Sequence, residues 1–430
     1  MNGRALRTRP SRSLLSVLCA SALAFAASAV ELWYDDETGR FVNLDISPKL
    51  TVLGSHAPDD PILYPERDTA TGLLRLRLGL TAQLADWASS ELAYEHRARY
   101  ASDGAGGGIT GAMLPSFSEA PYRLTQLDAE FIKGDDKYEH RHEIDRALVA
   151  LHPKWGDVTI GRQAIGLGRG VLFSAVDVFS PFSPLEVDRE WRHGVDAFRV
   201  EYRTSTTSSV ELLGVFGESW DDSAVLARGR GYLGDVDAEL IVGKRAEDAM
   251  FAGVVSTIVG NAEVHGELAA FRTPEDFPDG ALFGNERWVA KAVAGASYTF
   301  DVGNGLYLLG EYHYSGFGVR DAEDLVFRYL DGDFLERFLR GDMQLLGQHG
   351  LALQLSYPFT NTVSGSLSVL QSPTDGSGIA LPGFRWDFTD YASLNTHLYL
   401  PWGPKPDHGI PQSEYGLSGE SVFVQLSMYF

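Results

Sequence analysis

The last ten residues of the chain, Ser421 to Phe430, read SVFVQLSMYF, and their side chains alternate in two-residue steps. Val422, Val424, Leu426, Met428 and Phe430 share one parity, while Ser421, Gln425 and Ser427 share the other. That period sends alternate side chains to opposite faces of a strand, one face in an apolar medium and one in water. The rhythm recurs along the chain as about ten alternating residues, a short turn, about ten more and a longer loop. After residue 29, no run approaches the ~18 apolar residues of a spanning helix. In a bilayer only helices and closed barrels satisfy every backbone polar group. A membrane chain of this kind is therefore expected to be all-β, an up-and-down antiparallel transmembrane barrel.

The two ends supply an address. Arg4, Arg7, Arg9 and Arg12 precede the apolar run SLLSVLCASALAFAASA, which ends in Ala27-Ser28-Ala29. This is the pattern of a cleaved signal peptide over residues 1–29, leaving a barrel over residues 30–430. Cys19 follows Leu18, where a lipoprotein signal needs a small residue, so no lipid anchor is expected. Cleavage would remove the only cysteine and move the formal charge from −22 to −26. A mature chain without cysteine has no disulfide framework, and one this acidic lacks the basic surface that nucleic acid requires. The final decad resembles the last strand of bacterial outer-membrane barrels, in which a terminal Phe serves as an assembly signal. That resemblance implies the outer membrane as the location and its lipids as partners.

Short turns are read at LADWASS, HPKWGD, RTSTTSS, YLGD, VGN, FDVGNG, YPFTNT and FTDYAS, all expected on the periplasmic side. Strands laid between turns and loops start near residues 43, 72, 90, 142, 157, 194, 208, 224, 236, 250, 262, 287, 305, 347, 361, 380, 393 and 417. The count is about 18, with 16 as the alternative, because YRLTQLDAEFI in segment 121–141 suits either a strand or a loop. A ring of that size is wide enough for an aqueous channel rather than a packed core. Only about a dozen residues separate Val30 from the first strand, which leaves no room for a plug domain. In DAEDLVFRYLDGDFLERFLRG, Ala322, Leu325, Val326, Tyr329, Leu330, Phe334, Phe338 and Leu339 recur at helical spacing. Asp321 and Asp324 suit its cap and Gly341 its stop, giving a lid helix over the mouth or a helix inside the lumen.

Alternation also assigns charges to the lumen. In LLRLRLGL and ELAYEHRARY, the leucines and tyrosines take the lipid face, leaving Arg75, Arg77, Glu95, Arg97 and Arg99 inside. A hairpin centred on Trp87 would pair Arg75 with Arg99 and Arg77 with Arg97. Like charges across a rung are unfavourable by roughly 0.2–1 kcal/mol each. With only Glu95 nearby, their compensation is expected from across the lumen or from an anionic solute. By contrast, Arg228 with Glu239 and Arg230 with Asp237 read as ordinary cross-strand ion pairs.

The stretch GRQAIGLGRG has the four-residue gap of a phosphate-binding loop, but Leu167 and Gly168 stand where Lys and Ser or Thr belong. Its glycines are expected to form a bend that turns the chain inward. Residues 166–193 are too long for a hairpin and too apolar for a free loop, and Pro181 and Pro184 exclude regular structure through them. A segment folded into the lumen, the alternative being a loop packed outside over the barrel mouth, would bury Phe173, Val176, Val178, Phe179, Phe182 and Leu185. Its charged residues Arg169, Asp177, Glu186, Asp188, Arg189, Glu190, Arg192 and His193 would line the water path.

VTIGRQAIGLGRGVLFSAVDVFSPFSPLEVDREWRHGVDAFRVEY, about 45 residues, resembles the strand–loop–strand core of porin-like outer-membrane barrels, including the alginate-export type. The shared features are a G-R-Q strand end, a Gly-rich bend, a D-x-F-x-P-F stretch and a return strand near G-x-D. The resemblance implies a constriction at Arg162, Gln163 and the Asp177–Arg192 segment, and an arginine-lined lumen suited to a polyuronate. It also implies either a homotrimer, as in general porins, or a monomer, as in the alginate-export type.

Other chemistries find little support. There is no G-x-S-x-G elbow and no H-E-x-x-H, so no enzyme is expected. His140 and His142 in EHRHE share a face, but two imidazoles fall short of a zinc site, and they read as a solvated loop end. No cofactor or metal is expected, and the absence of C-x-x-C-H excludes an attached c-type haem. The leading expectation is a porin passing small hydrophilic solutes, whether neutral or anionic. An exporter or conduit barrel sheathing a partner is the alternative, and a lipid-hydrolysing barrel is the remaining reading.

Overall fold

The computed structural model of the chain describes residues 30–105, 113–114, 121–132, 137–321, 324 and 332–430. The expected signal peptide, residues 1–29, lies outside the described residues. One sheet of 21 strands contains a closed ring of 18, because three short strands (Val30–Asp35, Asp128–Ile132 and Ala281–Leu282) each pair only with the end of one ring strand. The first nine ring strands are β1 (Arg40–His56), β2 (Asp68–Ala85), β3 (Ala88–Ala101), β4 (Tyr138–Leu151), β5 (Gly156–Gln163), β6 (Val195–Arg203), β7 (Ser209–Phe216), β8 (Ala224–Leu233) and β9 (Val236–Arg245). They are followed by β10 (Asp248–Val259), β11 (Ala262–Arg272), β12 (Asn285–Phe300), β13 (Leu306–Ser315), β14 (His349–Pro358), β15 (Val363–Gln371), β16 (Gly378–Thr389), β17 (Ala392–Trp402) and β18 (Glu420–Met428).

Every pairing within the ring is antiparallel, and β18 closes on β1 with Gln425 opposite Thr51 and Ser427 opposite Lys49. Phe430 completes the seam by exchanging backbone hydrogen bonds with Ile46 in both directions. Closure leaves no open sheet edge, the condition for a sheet to cross lipid. Alternation sorts the faces as the sequence predicts. On β7, Val210 and Leu212 point outward and are exposed, while Glu211, Leu213 and Val215 are buried inside.

The interior holds the inward-folded segment that the sequence leads one to expect. Segment 164–194, between β5 and β6, lies inside the ring and buries Phe173, Val176, Val178, Phe179 and Leu185. These side chains pack against inward residues of β7–β13, among them Leu213, Val215, Ile241, Met250 and Phe271, and against Leu345 and Leu346 of the long loop before β14. Large apolar side chains gain roughly 1.5–3 kcal/mol each on full burial, enough to hold a proline-broken segment in place. Segment 121–127 also turns inward, with Tyr122 edge-on to Phe179 at 5.2 Å between ring centres. The described residues of the ambiguous stretch 121–141 thus form an inner segment, the short strand Asp128–Ile132 and the start of β4.

Of the expected helix, the described part is α1 (Gly332–Leu339), while Ala322, Leu325, Val326, Tyr329 and Leu330 lie outside the described residues. Phe334 joins the buried core, and Arg337 donates to Asp248 at 2.9 Å and to Glu275 at 2.6 Å. Asp248 begins β10 at the rim of the long loops, so α1 sits over that mouth.

Candidate functional site

Two inward carboxylates hold the inner segment. Glu267 on β11 accepts the backbone N–H groups of Arg169, Gly170 and Ala175 at 2.5, 2.7 and 2.7 Å, and the Ser174 hydroxyl at 2.8 Å. Glu311 on β13 accepts those of Val171, Leu172 and Phe173 at 2.6, 2.8 and 3.0 Å, and bonds the ring of His265 at 3.0 Å. The glycines of GRQAIGLGRG make this fit. Gly168 has φ +88°, and a Cβ there would lie 2.2 Å from a Glu267 carboxylate oxygen. The sequence did not nominate Glu267 or Glu311. Their signal was an inward acid whose rung partner, Val293 or Gly295, carries no charge.

The arginine wall is real, but its register differs from the expected one. Arg75 lies opposite Arg97 and Arg77 opposite Glu95, because a bulge at Gln83–Ala85 and the Asp86-Trp87 turn shift the hairpin. Arg97 in turn lies opposite Arg141, and Glu95 opposite Glu143. A cationic rung therefore adjoins a rung holding Arg77, Glu95 and Glu143, and each guanidinium reaches across to an acid. Arg75 binds Glu95 at 3.1 Å and Asp188 at 3.2 Å. Arg77 binds Asp145 at 2.7 Å, Arg97 binds Glu143 at 2.8 Å, and Arg99 binds Glu139 at 2.9 Å. The compensation, expected from across the lumen or from a solute, comes from β3, β4 and the inner segment. Arg75 and Arg97 are buried, whereas the Arg99 side chain is 35% exposed.

The comparison hairpin is also shifted. Gly234 at φ +67° and Asp235 form its turn, so Arg228 lies opposite Ile241 and Arg230 opposite Glu239. Arg228 still reaches Glu239 at 2.8 Å and Glu211 at 3.3 Å. Arg230 goes to Glu201 at 2.6 Å, and Asp237 is taken by Arg169 of the inner segment.

The remaining charges of the segment have separate tasks. Asp188 accepts from Lys49 on β1 at 2.6 Å, Arg75 on β2 at 3.2 Å and Gln425 on β18 at 3.1 Å. Glu190 takes Lys49 at 2.7 Å and the Tyr429 hydroxyl at 2.7 Å. Asp177 receives Arg192 at 2.5 Å. Arg189 donates to the carbonyls of Glu186, Val171, Ser183 and Pro184 at 2.9–3.1 Å. Burial pushes the Glu186 carboxyl up to about 7 against the pull of Arg75 and Arg189. Arg162 ties β5 to Asp196 at 2.8 Å and to carbonyls of the 121–127 segment, while Gln163 bonds the Ala197 carbonyl at 3.2 Å.

Trp191, which the sequence did not single out, ends the segment beneath three cations. Lys49 Nζ lies 3.9 Å from its ring centre, with the Arg75 and Arg77 guanidinium carbons at 5.1 and 5.3 Å. The ring helps line a vestibule of about 760 Å³ on the short-turn side, together with Asp45, Arg77, Arg146, Tyr391 and Tyr429. Arg169 lines a different cavity, of about 280 Å³, with Arg203 and Arg230.

Glu143, Asp145 and His193 come close enough to share a cation. The carboxylates, however, already serve Arg77, Arg97, Arg123 and Arg146, whose four positive charges oppose one. Burial, followed by Arg97, also lowers His193 to about 4. His140 and His142 lie within β4, not at a loop end, and His142 stands opposite His96 on β3 with ring centres 4.2 Å apart.

No family model and no curated protein sequence matches the chain. Solved structures share its fold. OccAB1 of Acinetobacter baumannii superposes with a TM-score of 0.56 at 10% identity, over 94% of this chain and 98% of that one. OccAB4 of the same organism gives 0.53 at 10% identity, over 90% and 98%. OccK11 (OpdR) of Pseudomonas aeruginosa gives 0.51 at 9% identity, over 90% and 96%. The chain has a porin-like barrel fold.

Proposed function

We propose that the protein is a channel of the bacterial outer membrane that passes small hydrophilic solutes, with its short turns in the periplasm. The observation that carries this reading is a closed ring of 18 strands whose lumen is narrowed by a segment of its own chain. A passive pore of this kind needs no second chain to span the bilayer. The constriction is formed by residues 164–194 against the wall of β1–β4. Within it, Arg75, Asp188, Arg189 and Arg192 position the segment and Arg77 faces its Trp191 ring. Arg97 pairs with Glu95 and Glu143 on the wall, and Arg162 holds Asp196 and the 121–127 segment. Arg99 and Arg169, with side chains 35% and 44% exposed, are the cations a passing anion meets.

Single-channel recording in planar bilayers tests the reading. The purified chain alone is expected to conduct. Exchanging Arg99 and Arg169 for Ala is expected to move the reversal potential in a KCl gradient toward cation preference. A folded chain that leaves the bilayer silent would sink the channel reading and favour an export conduit that works only with a partner. Conduction with an unmoved reversal potential would remove the two arginines from selectivity and leave the channel intact.

A further inference from the structure

The inward face of β14–β17 differs in kind from the charged wall. It presents Gln354, Ser364, Ser366, Ser368, Asn395 and His397 to a cavity of about 250 Å³. Register sets them side by side: Gln354 opposite Ser368, Ser366 opposite Gly383, and Gly383 opposite His397. Gly383 lies on the wall between Ser366 and His397. A Cβ there would fall 2.5 Å from the Ser366 hydroxyl and 2.3 Å from the His397 ring, so only glycine lets both close over it. His397 Nε2 is fixed by the Asn395 carboxamide oxygen at 3.0 Å, while its Nδ1, also buried, has no hydrogen-bond partner among the described residues. The other side of the cavity is apolar, formed by Leu172, Pro184 and Val187 of the inner segment.

Charge is largely committed at this cavity. Arg385 is bridged to Asp387 at 2.9 Å. Arg189 spends its N–H groups on four carbonyls. Glu186, raised by burial to about 7, is largely neutral below that pH. A solute here meets hydroxyl and amide groups that both donate and accept, facing an aliphatic surface. Arg385 also lines the next cavity toward the short-turn rim, beside Asp387 and Tyr391.

We propose that this cavity is a binding station for a neutral, polyhydroxylated solute the size of a monosaccharide. The hydroxyl edge of the solute meets the Ser, Gln, Asn and His row, and its C–H face lies on Leu172, Pro184 and Val187. The proposal rests on the channel reading for its biological sense, but its test does not. Saturation-transfer NMR on the protein in detergent, with glucose as probe and gluconate as comparison, reads binding without transport. Glucose is expected to bind in preference to gluconate, and the variant S364A/S366A/S368A to weaken glucose binding by about tenfold or more. The three side chains are small and line open space, so the barrel is expected to fold, with an unchanged heat-induced shift in gel mobility. The proposal is overturned if wild-type protein binds no glucose, if gluconate binds as well, or if the triple variant binds glucose equally. A silent bilayer with intact glucose binding would overturn the channel reading and leave the station standing.

Discussion

The walls built by β2–β4 and by β14–β17 have the same architecture and opposite commitments. Both alternate lipid-facing apolar residues with polar residues inside. In the first, every inward arginine that the sequence singled out is paired with a carboxylate, and most are buried against the inner segment. In the second, Ser364, Ser366 and Ser368 face open space and hold nothing in place. The difference teaches that an inward charge in a barrel of this size can serve the fold before it serves a solute. Selectivity is then left to groups the fold does not need.

The largest expected effect comes from breaking the charged wall. Glu95→Gln removes the acid shared by Arg75, Arg77 and Arg97, and breaking a buried ion pair costs about 3–5 kcal/mol. Urea unfolding followed by tryptophan fluorescence should record that loss, whereas Ser366→Ala should stay within about 0.5 kcal/mol. Equal costs would erase the contrast between the walls. A smaller effect is expected from Glu267→Gln, which weakens bonds to a charged acceptor worth about 1.5–3 kcal/mol. Barrel unfolding should shift less than for Glu95→Gln, while residues 164–194 become open to protease and open-channel noise rises. Protection unchanged from wild type would show that the apolar packing alone holds the segment.

The smallest effect is a pH dependence. Glu186 binds its proton more tightly in the folded segment, at about 7, than its ordinary value of 4.5. Its contribution to stability is whole below about 4.5 and is lost as pH rises to about 7 and beyond. Between pH 5.5 and 8.5 the serine wall therefore gains a negative neighbour, and the reversal potential should drift toward cation preference. Glu186→Gln should flatten that drift; an undiminished drift would assign it to another group.

The ring was legible because the two-residue period is imposed by lipid on every strand. Each predicted start falls within four residues of the structure's, and all eight short turns lie on one rim. Register was harder to read. A single bulge at Gln83–Ala85 and the placement of the Gly234-Asp235 turn each moved a hairpin, and a turn's exact centre leaves little trace in composition. The inward course of 164–194 could be read from its apolar content and prolines. Its partners could not, because Glu267 and Glu311 lie about 100 to 140 residues downstream and bond to backbone, which carries no sequence signature. The same long reach hid Glu143 and Asp145 as neutralisers of the arginines. Trp191 went unnoticed because the cations above it come from two strands and only the fold brings them together.

The carboxylate of Asp188 touches the first, second and last strands of the ring at once. Gln425 and Thr51, bonded to each other beside it, are 374 positions apart in the chain. Until the final strand arrives, Asp188 lacks Gln425, and the side of its pocket that faces the seam stays open to water. The end of the inner segment and the closing seam of the ring therefore share one carboxylate, and its removal would loosen both together.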